Sequence, residues 1–217
     1  MARRKPAYWD EATAALAKRD RVLRKLIRAH PEVHLTSRGD PFTSLSRAIV
    51  GQQISVKAAD AIWRRFVAAA APRSRTRLAR KIDPRDVAAL EVAALRMCGL
   101  SQRKAEYLRD LSLHFSSGRL DPKQWTKLDD EALIEALVAV KGIGRWTAEM
   151  FLIFHELRAD VLPVDDIGLQ RAVAMHYNGG ERLDASAIRE LASKWEPYRS
   201  VATWYLWRSL DPIPVEY

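Results

Sequence analysis

Apolar residues recur along this chain at the three- and four-residue intervals of helices that bury one face. Between Thr43 and Ala69 the positions Leu45, Ala48, Ile49, Ala58, Ile62 and Phe66 mostly keep that spacing. The run Gly51-Gln52-Gln53-Ile54-Ser55 interrupts it and predicts a break between two helices. Asp129 or Asp130 is placed to cap a helix running through Leu133, Ala136 and Leu137. Another helix is predicted from about Trp146 to Leu157, and Asp184 and Pro197 stand where two more should start. Residues 1–39 read as a basic helix, and residues 71–86, rich in arginine and proline, as a loop. The stretch from Asp160 to Val164 is short, contains Pro163 and reads as an extended connector. Nowhere do β-branched residues alternate long enough to suggest a sheet, and there is no internal repeat. The pattern predicts an all-α fold.

Composition narrows the class. The 217 residues suit one domain of two lobes or two small domains, and a 48% hydrophobic content supplies a core. No apolar run approaches the roughly 20 residues of a membrane span, and Met1-Ala-Arg-Arg-Lys-Pro has no apolar stretch behind it, so no secretory signal is expected. The single cysteine, Cys98, permits neither an internal disulfide nor a four-cysteine iron–sulfur cluster, and fits a reducing cytoplasm. The five histidines lack metal-ligand spacing. The net charge of +9 is uneven: residues 1–80 carry 18 Lys/Arg against 6 Asp/Glu, and residues 81–217 carry 18 against 21. A basic half implies a polyanionic partner, nucleic acid foremost, beside the plainer reading of a solvated surface.

The stretch Leu137-Val138-Ala139-Val140-Lys141-Gly142-Ile143-Gly144-Arg145-Trp146-Thr147-Ala148 carries more chemistry. A helix ends, a tight Gly-x-Gly turn follows, and a new helix begins. The glycines allow positive φ and close approach of another surface. The start of the new helix offers N–H groups that the helix does not use itself, which makes an anion site, with Lys141 and Arg145 beside it. Such a hairpin grips a DNA phosphate without reading sequence. A bare Gly-x-Gly turn is equally the ordinary corner between two packed helices. The nine residues VKGIGRWTA, Val140 to Ala148, resemble the helix-hairpin-helix motif of base-excision DNA glycosylases. That resemblance implies DNA contacts by Lys141, Gly142, Gly144, Arg145 and Thr147. It also implies a Na+ or K+ ion held by the main-chain carbonyls of Val138, Val140 and Ile143.

About 18 residues beyond Gly144 lies Leu162-Pro163-Val164-Asp165-Asp166-Ile167-Gly168-Leu169-Gln170-Arg171. On residues alone, either aspartate caps the helix that follows, the commonest task of an aspartate there. The stretch resembles the loop that carries the essential aspartate in the same superfamily, most closely that of the 3-methyladenine DNA glycosylase II type. In that type the second of two adjacent aspartates is catalytic. The resemblance therefore places catalysis on Asp166 and leaves Asp165 to cap the helix or support the base pocket, although relatives with Val-Asp-Thr-His here align with Asp165. One carboxylate suffices chemically. Breaking an N-glycosidic bond builds positive charge on the sugar, which a fixed carboxylate stabilises. A base alkylated at N3 or N7 is already cationic and leaves without a strong general acid. Trp146 stands where bifunctional members carry a nucleophilic lysine, so water is the expected nucleophile.

Upstream, the run Phe42 to Ser55 is similar to a second signature of the family. There the second glutamine of the pair, here Gln53, enters the gap left by an extruded base, with Ser55 nearby at the DNA; without the resemblance it reads as a polar helix end. Gly99 to Ala105 also matches and places Arg103 and Lys104 in packing or near DNA. Trp207 falls where the family has a pocket tryptophan, and with Trp146 it is expected to hold a flat cationic base.

Over residues 40–210 the resemblance implies a two-lobed helical glycosylase with a cleft between the lobes. The first lobe is expected at roughly 40–130 and the hairpin lobe at roughly 1–39 plus 131–217. The whole forms one module, without the N-terminal α/β domain of the enterobacterial-type enzyme. Met150 and Ile167 stand where that enzyme has aromatic residues, so its substrate breadth does not carry over. The implied partner is double-stranded DNA with damaged bases. No membrane, no required cofactor, a monomer and a cytoplasmic location are expected. Two other readings compete: a bifunctional oxidised-base glycosylase, against which Trp146 and the lack of a cysteine cluster argue, and a non-catalytic DNA-binding module, which leaves the Asp166 loop unexplained.

Overall fold

The computed structural model describes residues 5–37, 39–70 and 81–210. In chain order its helices are α1 (Trp9–Arg19), α2 (Arg21–Ala29), α3 (Pro41–Gly51), α4 (Val56–Ala70), α5 (Pro84–Ala88), α6 (Val92–Met97), α7 (Gln102–Ser116), α8 (Asp130–Val138), α9 (Arg145–Phe154), α10 (Ile167–Tyr177), α11 (Ala185–Ala192) and α12 (Arg199–Leu210). Single 3₁₀ turns lie at Trp125–Lys127 and Ser193–Trp195. Among the described residues there is no strand, as the missing alternation implied. No helix among them is long and apolar enough to cross a membrane.

The helix starts follow short polar side chains. Asp40, Asp83, Ser101, Asp129 and Asp184 each accept a main-chain N–H at the start of α3, α5, α7, α8 and α11. Pro41 and Pro84 take the first helical position, where a missing N–H costs nothing. Asp129, not Asp130, makes the α8 cap. The break predicted at Gly51–Ser55 separates α3 from α4, and the Ser55 hydroxyl accepts the Ala58 N–H at 3.3 Å.

Several boundaries differ from the sequence pattern. The basic stretch before residue 39 is two helices. Asp20 leaves helical geometry (φ −134°, ψ 121°) and its carboxylate caps α2 through the Val22 and Leu23 amides. The helix through Trp146 stops at Phe154 rather than Leu157. Leu157 takes a positive φ of 56° and the Arg158 N–H returns to the Leu152 carbonyl, closing the helix without a glycine. The last helix starts at Arg199, two residues after Pro197, because the Arg199 and Ser200 amides are taken by the Asp160 side chain and the Ala159 carbonyl. Of the predicted loop 71–86, residues 71–80 lie outside the described residues, and its end is already helical in α5.

The chain divides into two compact units: Met1–Ser37 with Glu149–Tyr217, and Arg38–Ala148. The division within α9 places α8 and the hairpin in the same unit as α3 to α7. The reason lies in α7: the Lys141 N–H donates to the Asp110 carboxylate at 2.9 Å, and Gly142 sits against the Tyr107 ring. In this unit Phe42 packs edge-on to Phe115, which meets Trp125 in turn, above buried Leu45, Ile49, Leu108, Leu111, Leu133 and Leu137. The other unit is built around α12, whose residues Ser200 to Leu206 are all buried. A helix buried on every face forms the centre of its unit. Trp204 lies edge-on to Trp9, and Leu16, Leu23, Leu169, Val173 and Trp195 fill the space around it.

Candidate active site

Asp166 is the N-cap of α10. Its Oδ1 accepts the Leu169 amide at 2.7 Å and the Trp207 Nε1–H at 2.7 Å. Its own N–H returns to the Pro163 carbonyl at 2.9 Å, so the loop folds under the helix it starts. The Gln170 side-chain amide ties the Val164 carbonyl at 3.0 Å, and Arg182 holds the Gln170 Oε1 at 2.6 Å. Trp207 stacks on Phe154, centroids 5.6 Å apart and planes 15° from parallel. Asp166 is half-buried while Asp165 is exposed. The cap offered to Asp165 as one of two expected tasks is thus made by Asp166, because only its side chain lies under the first turn of α10. The start of α10 and both N–H donors are directed at this carboxylate. Ile167, the first residue of α10, is 69% exposed beside it.

The hairpin closes in the other unit. The Ile143 N–H reaches the Val140 carbonyl at 3.1 Å, and the Gly144 carbonyl receives the Ala148 N–H at 3.0 Å, which starts α9. The two glycines differ. Gly142 has φ +81°, and a Cβ there would lie 2.1 Å from the Tyr107 ring. Gly144 takes no positive φ, and a Cβ there would meet no atom within 4 Å, so its face is open. The sequence allows positive φ at both glycines; the turn uses it only at Gly142. Lys141 is exposed, and Thr147 half-buried. Arg145 forms a two-pronged ion pair with Glu131, at 2.6 and 2.7 Å, which holds the Glu131 carboxyl below its usual range. Its charge is therefore shared with a neighbouring acid rather than added whole to the hairpin. Trp146 is 41% exposed. Val138 ends α8, where carbonyls have no partner within the helix.

Gln53 stands at the tip of the α3–α4 turn, exposed, with φ 57°. A non-glycine residue there is held against a local cost, on the order of 1 kcal/mol. Its neighbour Gln52, which the sequence pattern does not single out, donates to the Gly142 carbonyl at 2.9 Å and ties this turn to the hairpin. Lys104 donates to the carbonyls of Val50 and Gln52 at 2.9 and 2.6 Å, capping the end of α3, and burial lowers its pKa. Of the two places expected for Lys104, packing is the one it takes. Nor does the pattern mark Tyr107, Asp110, Phe154, Gly168 or Arg182. Most of their partners lie far along the chain, and only the adjacency of Gln52 to Gln53 and of Gly168 to the Asp166 loop is a local hint.

Residues 46–197 match the pattern of the HhH-GPD superfamily base excision DNA repair proteins. The chain belongs to this superfamily. The match spans the Gln53 turn, the hairpin and the Asp166 loop, and it ends before Trp207. The chain is 33% identical over 171 residues to DNA-3-methyladenine glycosylase 1 of Schizosaccharomyces pombe, a stretch covering 78% of this chain and 72% of that protein. A crystal structure of a DNA-3-methyladenine glycosidase from Bacillus halodurans superposes with a TM-score of 0.83 at 37% identity, over 93% of this chain and 89% of that one. A Schizosaccharomyces pombe 3-methyladenine DNA glycosylase in complex with abasic DNA superposes with a TM-score of 0.74 at 29% identity, over 92% and 96%.

Proposed function

We propose that this HhH-GPD chain is a monofunctional DNA glycosylase that hydrolyses the N-glycosidic bond of alkylated bases, of the 3-methyladenine and 7-methylguanine class, in double-stranded DNA. It thereby initiates base excision repair. The observation that carries the reading is the Asp166 carboxylate, fixed by two N–H donors at the start of α10. The similar proteins in fission yeast and Bacillus halodurans are named for 3-methyladenine, which gives the substrate class.

In the reaction the C1′–N bond breaks and the cationic base leaves as a neutral one. Positive charge rises on the sugar, and the Asp166 carboxylate stabilises it. Water adds to C1′ and gives up a proton, leaving an abasic site in an intact strand. Trp207 and Trp146 supply aromatic faces for a flat cation, and Gln53 fills the gap left by the extruded base. Lys141, Gly142, Gly144, Arg145 and Thr147 meet the phosphates, with Ser55 near the backbone on the Gln53 turn. A monovalent cation on the carbonyls of Val138, Val140 and Ile143 would bridge hairpin and phosphate. The Val140 carbonyl already accepts one N–H and keeps a lone pair for it. The decisive experiment is release of methylated bases from alkylated duplex DNA by the purified protein; no release would remove the reading.

Strand scission separates this reading from the bifunctional one. With Trp146 in place of a nucleophilic lysine, the abasic strand should stay whole until alkali is added. Borohydride should trap no covalent protein–DNA adduct. A trapped adduct would make the enzyme a lyase.

The two hairpin glycines give an opposed pair of outcomes. Gly144→Ala meets no atom within 4 Å and needs no positive φ, so the melting temperature should hold. Its methyl group projects where a phosphate must come, and DNA affinity should fall about tenfold, the scale of one charged hydrogen bond. Gly142→Ala must displace the Tyr107 ring at positive φ and should melt earlier. If Gly144→Ala binds duplex DNA as the parent does, the hairpin is a structural corner only.

A further inference from the structure

We propose that Trp207 and Gly168 together orient the Asp166 carboxylate. The indole N–H fixes Oδ1, and the absent side chain at residue 168 is what admits the indole. The inference rests on the reading of Asp166 as the catalytic group and gives Trp207 a task beyond lining the base pocket.

A helix cap holds a carboxylate by one oxygen. The Leu169 amide holds Oδ1 from within α10, and the torsion about Cβ–Cγ has broad wells that a donor from another helix narrows. The Trp207 Nε1–H reaches the same oxygen at the same 2.7 Å from α12, 41 residues along the chain. Two donors on one oxygen set the carboxylate plane and hence where Oδ2 lies. A group that stabilises charge only in the transition state depends on being held before that charge appears.

The approach is possible because residue 168 is glycine. A Cβ there would lie 3.0 Å from Asp166 Oδ1 and 3.1 Å from both Cδ1 and Nε1 of Trp207. These distances are tighter than ordinary packing, and two of the three atoms belong to a rigid ring already stacked on Phe154. Neither partner yields as a flexible chain end does. Gly168 carries no positive φ, so its lack of a side chain reflects this crowding.

A double-mutant cycle tests the proposal. Trp207→Phe keeps an aromatic ring for Phe154 and removes the donor; Gly168→Ala keeps the donor and pushes it away. Single-turnover release of methylated base should fall about tenfold or more in each, with affinity for abasic-site DNA within about twofold of the parent. The double variant should be no slower than the slower single, since both break one contact. The ¹⁵N-indole resonance of Trp207, identified by its loss in Trp207→Phe, should shift in both Gly168→Ala and Asp166→Asn. That signal carries the test with Gly168→Ala if Trp207→Phe does not fold. Parent-like rates, multiplicative losses, or an unmoved resonance would overturn the proposal. Asp166→Asn separates the two levels: if it retains excision, the catalytic reading itself fails, and if it alone abolishes excision, only the positioning role does.

Discussion

Asp166→Asn should release methylated bases from duplex DNA about a hundred times more slowly than the parent, or worse, while binding abasic-site DNA almost as tightly. Asparagine keeps the size of the side chain and an oxygen for the Leu169 and Trp207 donors, so the α10 cap and the fold should survive. What is lost is the negative charge, which matters only when the sugar becomes positive. A contact made only in the transition state lowers kcat without a matching loss of affinity. Single-turnover kinetics with a parallel binding titration measures both. Asp165→Asn is the matched comparison. Asp165 is exposed and outside the cap, and its loss should leave excision near the parent rate. Slow excision by Asp165→Asn with normal excision by Asp166→Asn would reverse the assignment within the pair. Two active variants would remove catalysis from this loop altogether.

The residues legible in the sequence are those whose task is local. Asp129 and Asp184 lie directly before amphipathic runs, and a short carboxylate there finds the first amides within three residues. The Gly-x-Gly turn is visible for the same reason: Gly142 answers a backbone demand that appears in its own φ. The end of α9 is not visible, because Leu157 takes the left-handed conformation without the glycine that would announce it. Long-range partners leave no trace either. The Trp207–Asp166 bond spans 41 residues and the Gln52–Gly142 bond 90, and no periodicity encodes which side chains meet across such intervals. The division of the chain shows the same limit. The hairpin joins the unit of α3 to α7 through Asp110 and Tyr107, both on α7, and nothing in the local pattern of that helix marks them as its partners.

Asp20 is the most deeply hidden of these residues, and its removal should cost the fold several kcal/mol. It sits among basic residues between α1 and α2 and reads as part of one basic helix, yet it is 3% exposed. One oxygen caps α2 through Val22 and Leu23, at 2.8 and 3.1 Å. The other accepts the Tyr177 hydroxyl at 2.9 Å, the Trp195 indole at 3.1 Å and the Lys194 ammonium at 3.0 Å. Burial alone would push this carboxyl up. The donors of Trp195, Lys194, Leu23 and Tyr177 outweigh it and hold the pKa below the ordinary value. Asp20→Ala strands the buried Trp195 donor, the half-buried Tyr177 hydroxyl and a helix start, a loss of about 3–5 kcal/mol against a typical total of roughly 5–15. Asp20→Asn keeps an acceptor and should lose about 1–2 kcal/mol, much of it the pairing with half-exposed Lys194. The pH dependence separates charge from shape. Because the folded pKa lies below the unfolded one, near 3.9, the charge contributes fully above that value. The contribution fades as pH falls through the folded pKa, so the gap between parent and Asp20→Asn in urea midpoint should be full at pH 7 and should narrow below about pH 4. An Asp20→Asn midpoint equal to the parent's at pH 7, or a gap that widens on acidification, would mean that this buried carboxylate does not hold the unit together.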